Sequence, residues 1–386
     1  MKIFRAKNQQ RFLSIKNVFL IIGLLILGTM VFISNVSSVD ASSTKNLGTV
    51  NVDSKDAIKV NNDNAPKFVK APKIYSNSKK HTKIKTKKGK KYKFYTKYFL
   101  PVTWKKGGKN GGMEYWYNCQ SIAISGKYMY ILTSSGYNKD KGFIIRYDTS
   151  VLNKYSNGKN KHILKNIGTK MKNGKHLTKK QKRIKKAIKI GSVFNIGHGQ
   201  SLSYNPKKKS LWMWQDKSKS KSHNLKLMKI NMKTFKPSKI YKFKAKLNGK
   251  YLTTINNLNF DKDGAFYFDK NLKTKHNSLS TRIFCGKIHN NQIEIKLLAV
   301  ITKRPGTYPQ SIAVNKKNNR LYLVSDGAIY SMPISKLCDG TLTKNDFFYS
   351  VFSTKREFEG ISFDNKGHAY LLILRGTEVL KSNQIY

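Results

Sequence analysis

The chain has 386 residues, 76 Lys plus Arg against 19 Asp plus Glu, and a formal net charge of +57. Aromatic residues make up 12% of it, which excludes a wholly disordered basic chain, because such chains lack the apolar groups to build a core. The scarcity of acids argues against a hydrolase built on two close carboxyl groups, and a cationic surplus of this size calls for a polyanion such as nucleic acid, teichoic acid or anionic lipid.

Taken in chain order, Lys2, Arg5, Lys7, Arg11 and Lys16 precede an apolar run at 18–33, and Val39-Asp40-Ala41 follows with small residues where a signal peptidase cuts. This pattern predicts a signal peptide over 1–41 and hence a secreted protein. The run is shorter than the ~20 residues of a usual membrane span; retention as an anchor is the alternative. Residues 42–91 are polar and then lysine-rich, with Lys79, Lys80, Lys87 and Lys88 in a stretch that has no acid between Asp63 and Glu114. Like charges at that density predict a disordered basic arm, serving as a spacer, as an electrostatic adhesive, or as both.

From Tyr92 onward one phrase recurs five times, and recurrence at this spacing is the mark of a repeat architecture. Gln120-Ser121-Ile122-Ala123-Ile124 turns through Ser125-Gly126-Lys127 into Tyr128-Met129-Tyr130-Ile131-Leu132. Gln200-Ser201-Leu202-Ser203-Tyr204 leads to Leu211-Trp212-Met213-Trp214, and Asn257-Leu258-Asn259-Phe260 to Ala265-Phe266-Tyr267-Phe268. Gln310-Ser311-Ile312-Ala313-Val314 leads to Leu321-Tyr322-Leu323-Val324, and Glu359-Gly360-Ile361-Ser362-Phe363 to Ala369-Tyr370-Leu371-Leu372. Each copy is a hairpin of a small-residue strand and an aromatic strand. Third strands are expected at 143–147, 225–230, 282–288 and 328–332. Three or four strands per radial unit predict an all-β fold, a five-bladed β-propeller over 92–386. Strands near 92–100 and 378–385 are expected to close the ring, which removes open sheet edges. The long first interval comes from a basic insertion at 154–190, where Thr178 caps a short helix carrying Lys179, Lys180, Lys182, Arg183, Lys185 and Lys186. That helix either packs on the rim with its charges in solvent or lies on an anionic surface.

The chain contains no Gly-x-Ser-x-Gly elbow, His-Glu-x-x-His helix or phosphate-binding Gly-x-x-x-x-Gly-Lys-Ser/Thr loop, so no catalytic residue is assigned. Cys119, Cys285 and Cys338 are too few and too scattered for a disulfide framework or a zinc motif and read as strand-core thiols. Should the first strands line a channel, Gln120, Gln200, Asn257, Gln310 and Glu359 form a ring in it. His198, between Gly197 and Gly199, stands at its mouth. The ring is either a ligand or ion site or a network of amides joining the repeats. No cofactor is expected; a calcium ion in the central channel is the alternative, with one carboxylate among several amides a weak ligand set. No groove-reading helix or RNA-recognition signature is present, so the expected partners are the phosphate-rich polymers of a bacterial surface, bound by a monomer.

The phrase Gly197-His198-Gly199-Gln200-Ser201-Leu202-Ser203-Tyr204-Asn205-Pro206, with Gln120-Ser121-Ile122-Ala123, Gln310-Ser311-Ile312-Ala313 and Phe358-Glu359-Gly360-Ile361-Ser362-Phe363, resembles the helveticin J family of large secreted bacteriocins of lactic acid bacteria. It is more distantly similar to the propellers of phage receptor-binding proteins and of teichoic-acid biosynthesis protein C. The resemblance covers about 92–386; the arm and the insertion lie outside it. It implies a five-bladed propeller, recognition of an envelope component and killing of related bacteria without wall hydrolysis. A non-toxic adhesion propeller retained on its own surface by charge is the alternative, and a lactonase-type enzyme a lesser one suggested by Asn257 and Glu359-Gly360.

Overall fold

Every repeat starts from the same local chemistry. A strand of small and polar residues turns tightly into one of aromatic and branched residues, and alternation places one set of side chains on each face. A computed structural model describes residues 42–386 apart from 67–68, 78–81, 105–115, 117, 136–137, 156–160, 217–222 and 273–279. The expected signal peptide at 1–41 lies outside the described residues, as do Lys79 and Lys80.

The chain opens with β1 (Ser43–Asp53), β2 (Ile58–Val60), β3 (Lys83–Gly89) and β4 (Lys93–Phe99). Five antiparallel meanders follow. The first is β5 (Asn118–Ser125), β6 (Tyr128–Ser135), β7 (Asn138–Asp148) and β8 (Ile188–Ile190), with β9 (Phe194–Asn195) also pairing to β7. The second is β10 (Ser203–Asn205), β11 (Ser210–Trp214), β12 (Leu225–Ile230) and β13 (Pro237–Leu247), with β14 (Lys250–Tyr251) beside β13. The third is β15 (Asn259–Phe260), β16 (Phe266–Leu272), β17 (Ser280–His289) and β18 (Gln292–Ile301). The fourth is β19 (Ser311–Asn315), β20 (Arg320–Ser325), β21 (Ala328–Pro333) and β22 (Phe348–Phe352). The fifth holds β23 (Phe358–Phe363), β24 (His368–Ile373) and β25 (Glu378–Ile385) and takes its fourth strand from the front of the chain: β4 pairs with β25, Tyr95 opposite Lys381 and Phe99 opposite Glu378. This is the pairing expected between 92–100 and 378–385.

The fold is all-β and propeller-like. The first strands are neighbours in a cycle: β5 lies against β10, β10 against β15, β15 against β19, β19 against β23 and β23 against β5. The apolar core follows the same cycle. One cluster lies between the first and second meanders around Leu132, Met213 and Phe235. The next, around Trp214, Phe243 and Phe268, joins the second and third. Tyr267, Ile283 and Leu321 belong to the one between the third and fourth. Phe94, Ile329 and Leu371 mark the fourth–fifth seam, and Tyr98, Met129 and Leu372 the fifth–first.

The expectation of a disordered arm over 42–91 is corrected here. β1 inserts between β13 and β18 and runs parallel to both, with Thr44 opposite Ile240 and Val52 opposite Ile295. β2 runs parallel to β18, and β3 sits antiparallel between β22 and β4. The cause is backbone demand. Outer strands leave N–H and C=O groups unpaired, and a chain laid along them satisfies both. The lysine density does not prevent this, because alternation sends Lys83, Lys85 and Lys87 to solvent while Ile84 is buried. The hydrogen-bonded sheets are consequently three rather than five. β1 fuses the second and third meanders into eleven strands whose ends β10 and β15 adjoin. β3 fuses the fourth and fifth into nine strands whose ends β19 and β23 adjoin. Both long sheets are thus nearly closed.

α1 (Thr149–Tyr155) leads into the insertion, whose described residues hold two helices where one was expected, α2 (Ile163–Lys172) and α3 (Lys179–Lys186). The cap on α3 is as read from the sequence. Thr178 Oγ1 accepts the Gln181 N–H at 3.3 Å, and Gln181 Oε1 accepts the Thr178 N–H at 3.0 Å, a capping box. Ile184 anchors α3 in the cluster that holds Leu152, Ile163 and Ile167. α4 (Ile334–Cys338) links β21 to β22. Of the thiols, Cys119 is buried in a strand, Cys285 is partly buried, and Cys338 is exposed at the end of α4, so the strand-core reading does not hold for Cys338.

Candidate functional site

The five first strands converge on an axis, and its two ends differ in chemistry. At the end where these strands begin, Gln120, Gln200, Gln310 and Glu359 are all buried. Gln200 Nε2 donates to Gln310 Oε1 at 3.0 Å, and Gln310 Nε2 to Asp326 Oδ2 at 3.4 Å. Asn257 is buried too, but its Nδ2 donates to Asp269 Oδ1 at 2.8 Å. Counting back from Tyr204, Phe260 and Val314, which open the hairpin turns in matching register, the position equivalent to Gln200 and Gln310 is Asn256. Asn257 takes the place of Ser201 and Ser311.

His198 is half-buried, and its N–H donates to the Asp216 carbonyl at 2.6 Å. Gly197 has φ +66°, and a Cβ there would stand 1.6 Å from the Asp216 oxygen, so only glycine lets the two segments meet. Asp216 and Asp326 were missed from sequence. Each follows its aromatic strand by two residues or fewer, as Trp214-Gln215-Asp216 and Val324-Ser325-Asp326, and comparison of the repeats past the strand end would have found them. Both work through backbone: Asp216 Oδ1 accepts the Gly199 N–H at 3.1 Å, and Asp326 Oδ1 the Phe358 N–H at 2.7 Å.

Burial governs the charge at this end. It lifts the Asp216 pKa to about 7 against the N–H groups of Gly199 and His198 that favour the anion. Glu359 is pushed well above the usual carboxyl range by burial and then by the nearby Glu357 and Asp326 charges, and Asp326 is raised by burial. Buried carboxyls and amides, several of them bonded across the repeats, form a polar plug, which suits the bonding of one meander to the next. Among the described residues no three His, Cys, Asp or Glu side chains stand together as metal ligands. The arm covers this end. Tyr75 Oη donates to Asp326 Oδ2 at 2.6 Å, Arg375 lies 5.3 Å over the Tyr75 ring, and Ser76 donates to the Lys355 carbonyl at 2.9 Å.

At the opposite end the first strands enclose a cavity of about 270 Å³, to which all five contribute: Ile124, Tyr204, Asn259, Val314 and Phe363. The five hairpin turns surround it, and each carries lysine: Lys127, Lys207 to Lys209, Lys262, Lys316 with Lys317, and Lys366. Neighbouring turns touch, Lys207 against Gly264 and Lys317 against Gly367. Lys127 and Lys262 are paired with Asp148 and Asp263. The turn lysines were legible in the repeat as punctuation and were passed over for that reason.

Lys87 and Lys88 are exposed on β3, and all six basic residues of α3 are exposed. None of these makes an ion pair with a described residue. A groove of about 650 Å³ beside α3 has Trp104, Met171 and Leu177 as its floor and Lys182, Lys185 and Lys186 on its rim.

No protein-family profile matches the chain, and no curated protein matches it. Among solved structures, hydrazine synthase of Kuenenia stuttgartiensis is similar at 10% identity and a TM-score of 0.36, over 69% of this chain and 84% of that one. A glucose dehydrogenase matches at 10% and 0.36 over 75% and 92%, and a streptogramin B lyase at 12% and 0.32 over 75% and 97%.

Proposed function

We propose that the chain is a five-bladed propeller that acts outside a bacterial cell, binds phosphate-rich polyanions of the envelope and catalyses no reaction. The blade count rests on the five apolar seams, which run cyclically from one meander to the next. The binding reading rests on one observation: most cations face solvent without an ion pair to a described residue, while many of the few acids are buried or already paired. Asp216, Asp269, Asp326 and Glu359 are buried, and Asp53, Asp63, Asp148 and Asp364 are held in ion pairs. Lysines even stand opposite each other across strands, Lys226 facing Lys242 and Lys229 facing Lys239, an arrangement that costs stability unless an anion intervenes. The channel plug, in which Gln200, Gln310 and Asp326 bond one meander to another, supports a structural role rather than turnover.

Killing of related bacteria is the use that the helveticin J-like phrases imply, and adhesion to the cell's own surface is the other; survivor counts after adding the protein to indicator strains separate them. Binding itself is tested with purified wall polymer over a salt series. Each phosphate contact releases counterions, so affinity should fall steeply with salt. Replacing Lys182, Arg183, Lys185 and Lys186 with Gln should flatten that slope. Affinity indifferent to both salt and these substitutions would falsify the reading.

A further inference from the structure

We propose that the axial cavity ringed by the hairpin turns is a binding site for a phosphate monoester carried on a small polyol or sugar. The side chains that line it offer hydrogen-bond donors. Ser362 Oγ accepts the Ile124 N–H at 3.1 Å, and Asn259 Oδ1 accepts the Val314 N–H at 3.1 Å. Each acceptor is therefore occupied by backbone of the next meander, which leaves the Ser362 hydroxyl and the Asn259 amide to donate. The one carboxylate that lines the cavity, Asp364, has its oxygens engaged. Asp364 Oδ1 takes the N–H groups of Lys366 and His368 at 3.0 and 2.9 Å, and Oδ2 takes Lys381 Nζ at 3.1 Å. Lys316 and Lys317 line the same space and have no ion pair with a described residue. The Lys316 ammonium stands 5.7 Å from the centre of the Tyr204 ring. Surrounding protein lowers its pKa through desolvation, a cost that a neighbouring anion offsets.

Two ammonium groups with neutral donors between them match an oxyanion that has several acceptor oxygens. Tyr204, Ile124 and Phe363 supply an apolar wall for the carbon face of a polyol. At about 270 Å³ the space is below the ~300–1,000 Å³ of drug-sized pockets, so it takes one unit, either a free molecule or the end of a polymer, and not a chain in passage. The proposal deepens the polyanion reading by giving one site its chemistry, and the two fail separately.

The test is calorimetric titration of the whole protein with sn-glycerol 3-phosphate, with glycerol and inorganic phosphate as controls. Saturable binding is expected for glycerol 3-phosphate, weaker binding for inorganic phosphate, and none for glycerol. The double substitution Lys316→Met and Lys317→Met should weaken binding at least tenfold without moving the melting temperature, since both are exposed turn residues. Asn259→Asp, which keeps the bond from Val314 but adds a charge, should also abolish it. The α3 substitutions should leave it unchanged while reducing wall-polymer binding. A glycerol-phosphate oligomer should bind only while its terminal monoester is intact if polymer ends are the source; equal binding after phosphatase treatment overturns the monoester assignment. No saturable binding by the wild-type protein, or equal loss in the α3 and turn variants, overturns the site.

Discussion

Asp216 sits deep at the glutamine end of the axis, where burial lifts its pKa from 3.8 to about 7. The folded chain therefore holds this proton more tightly than the unfolded chain does. The stabilisation is complete below about pH 4 and is lost as pH rises toward 7. In Asp216→Asn the side-chain oxygen still accepts the Gly199 N–H, but nothing titrates. Its unfolding free energy should match that of wild type at pH 4 and exceed it at pH 8 by about 4 kcal/mol, read as a higher melting temperature at pH 8 only; a parallel pH dependence in the two proteins would contradict the assignment. Legibility at this scale followed locality. The Gly197-His198-Gly199 signal was visible because glycine beside a polar residue marks close backbone approach, and the structure shows what approaches. Asp216 was not visible, because its partner is the Gly199 amide, 17 positions upstream, a bond that leaves no side-chain pattern. The Asn256 and Asn257 pair misled for a related reason: adjacent identical residues give no clue to register.

Among the elements, β1 shows what charge counting misses. Its order comes from main-chain bonds to β13 and β18, supplemented by the burial of Val52, and backbone pairing has no compositional signature. Removing residues 42–60 should uncover two outer edges at once. The shortened protein should melt lower and self-associate through those edges. A deletion that leaves melting temperature and monodispersity unchanged would show that β1 is an ornament. The cap on α3 was fully legible, since Thr178 and Gln181 carry the chemistry of a helix start within four residues. α1 and α2 were not, because their apolar residues Leu152, Ile163, Leu164 and Ile167 are spaced among lysines and acquire a core only from the meander beneath.

At the scale of the whole molecule, closure is concentrated where β4 meets β25. Glu378 is completely buried; its Oε1 is bound by Arg356 and by Thr82 Oγ1 at 2.7 Å, and its Oε2 by Thr96 Oγ1 at 2.8 Å. Arg356→Met leaves that carboxylate without its cation, at a cost of about 3–5 kcal/mol. Because every seam is shared by two meanders, the loss should appear as one calorimetric transition moved to lower temperature. A separate early transition would mean that the fifth meander melts alone. The recurring phrase made the hairpins legible in the sequence, and the position of the closing pair with them. The grouping of strands into three sheets could not be read there, because it depends on where the arm lies.

The route of the arm also sets a timetable. β3 and β4 can pair with each other early, but β1 and β2 wait for β13 and β18, β3 for β22, and β4 for the final strand, β25. Contacts so distant in sequence make folding slow. The ring of such a chain stays open until its last strand has been made, so the final closure is an event of the finished polypeptide.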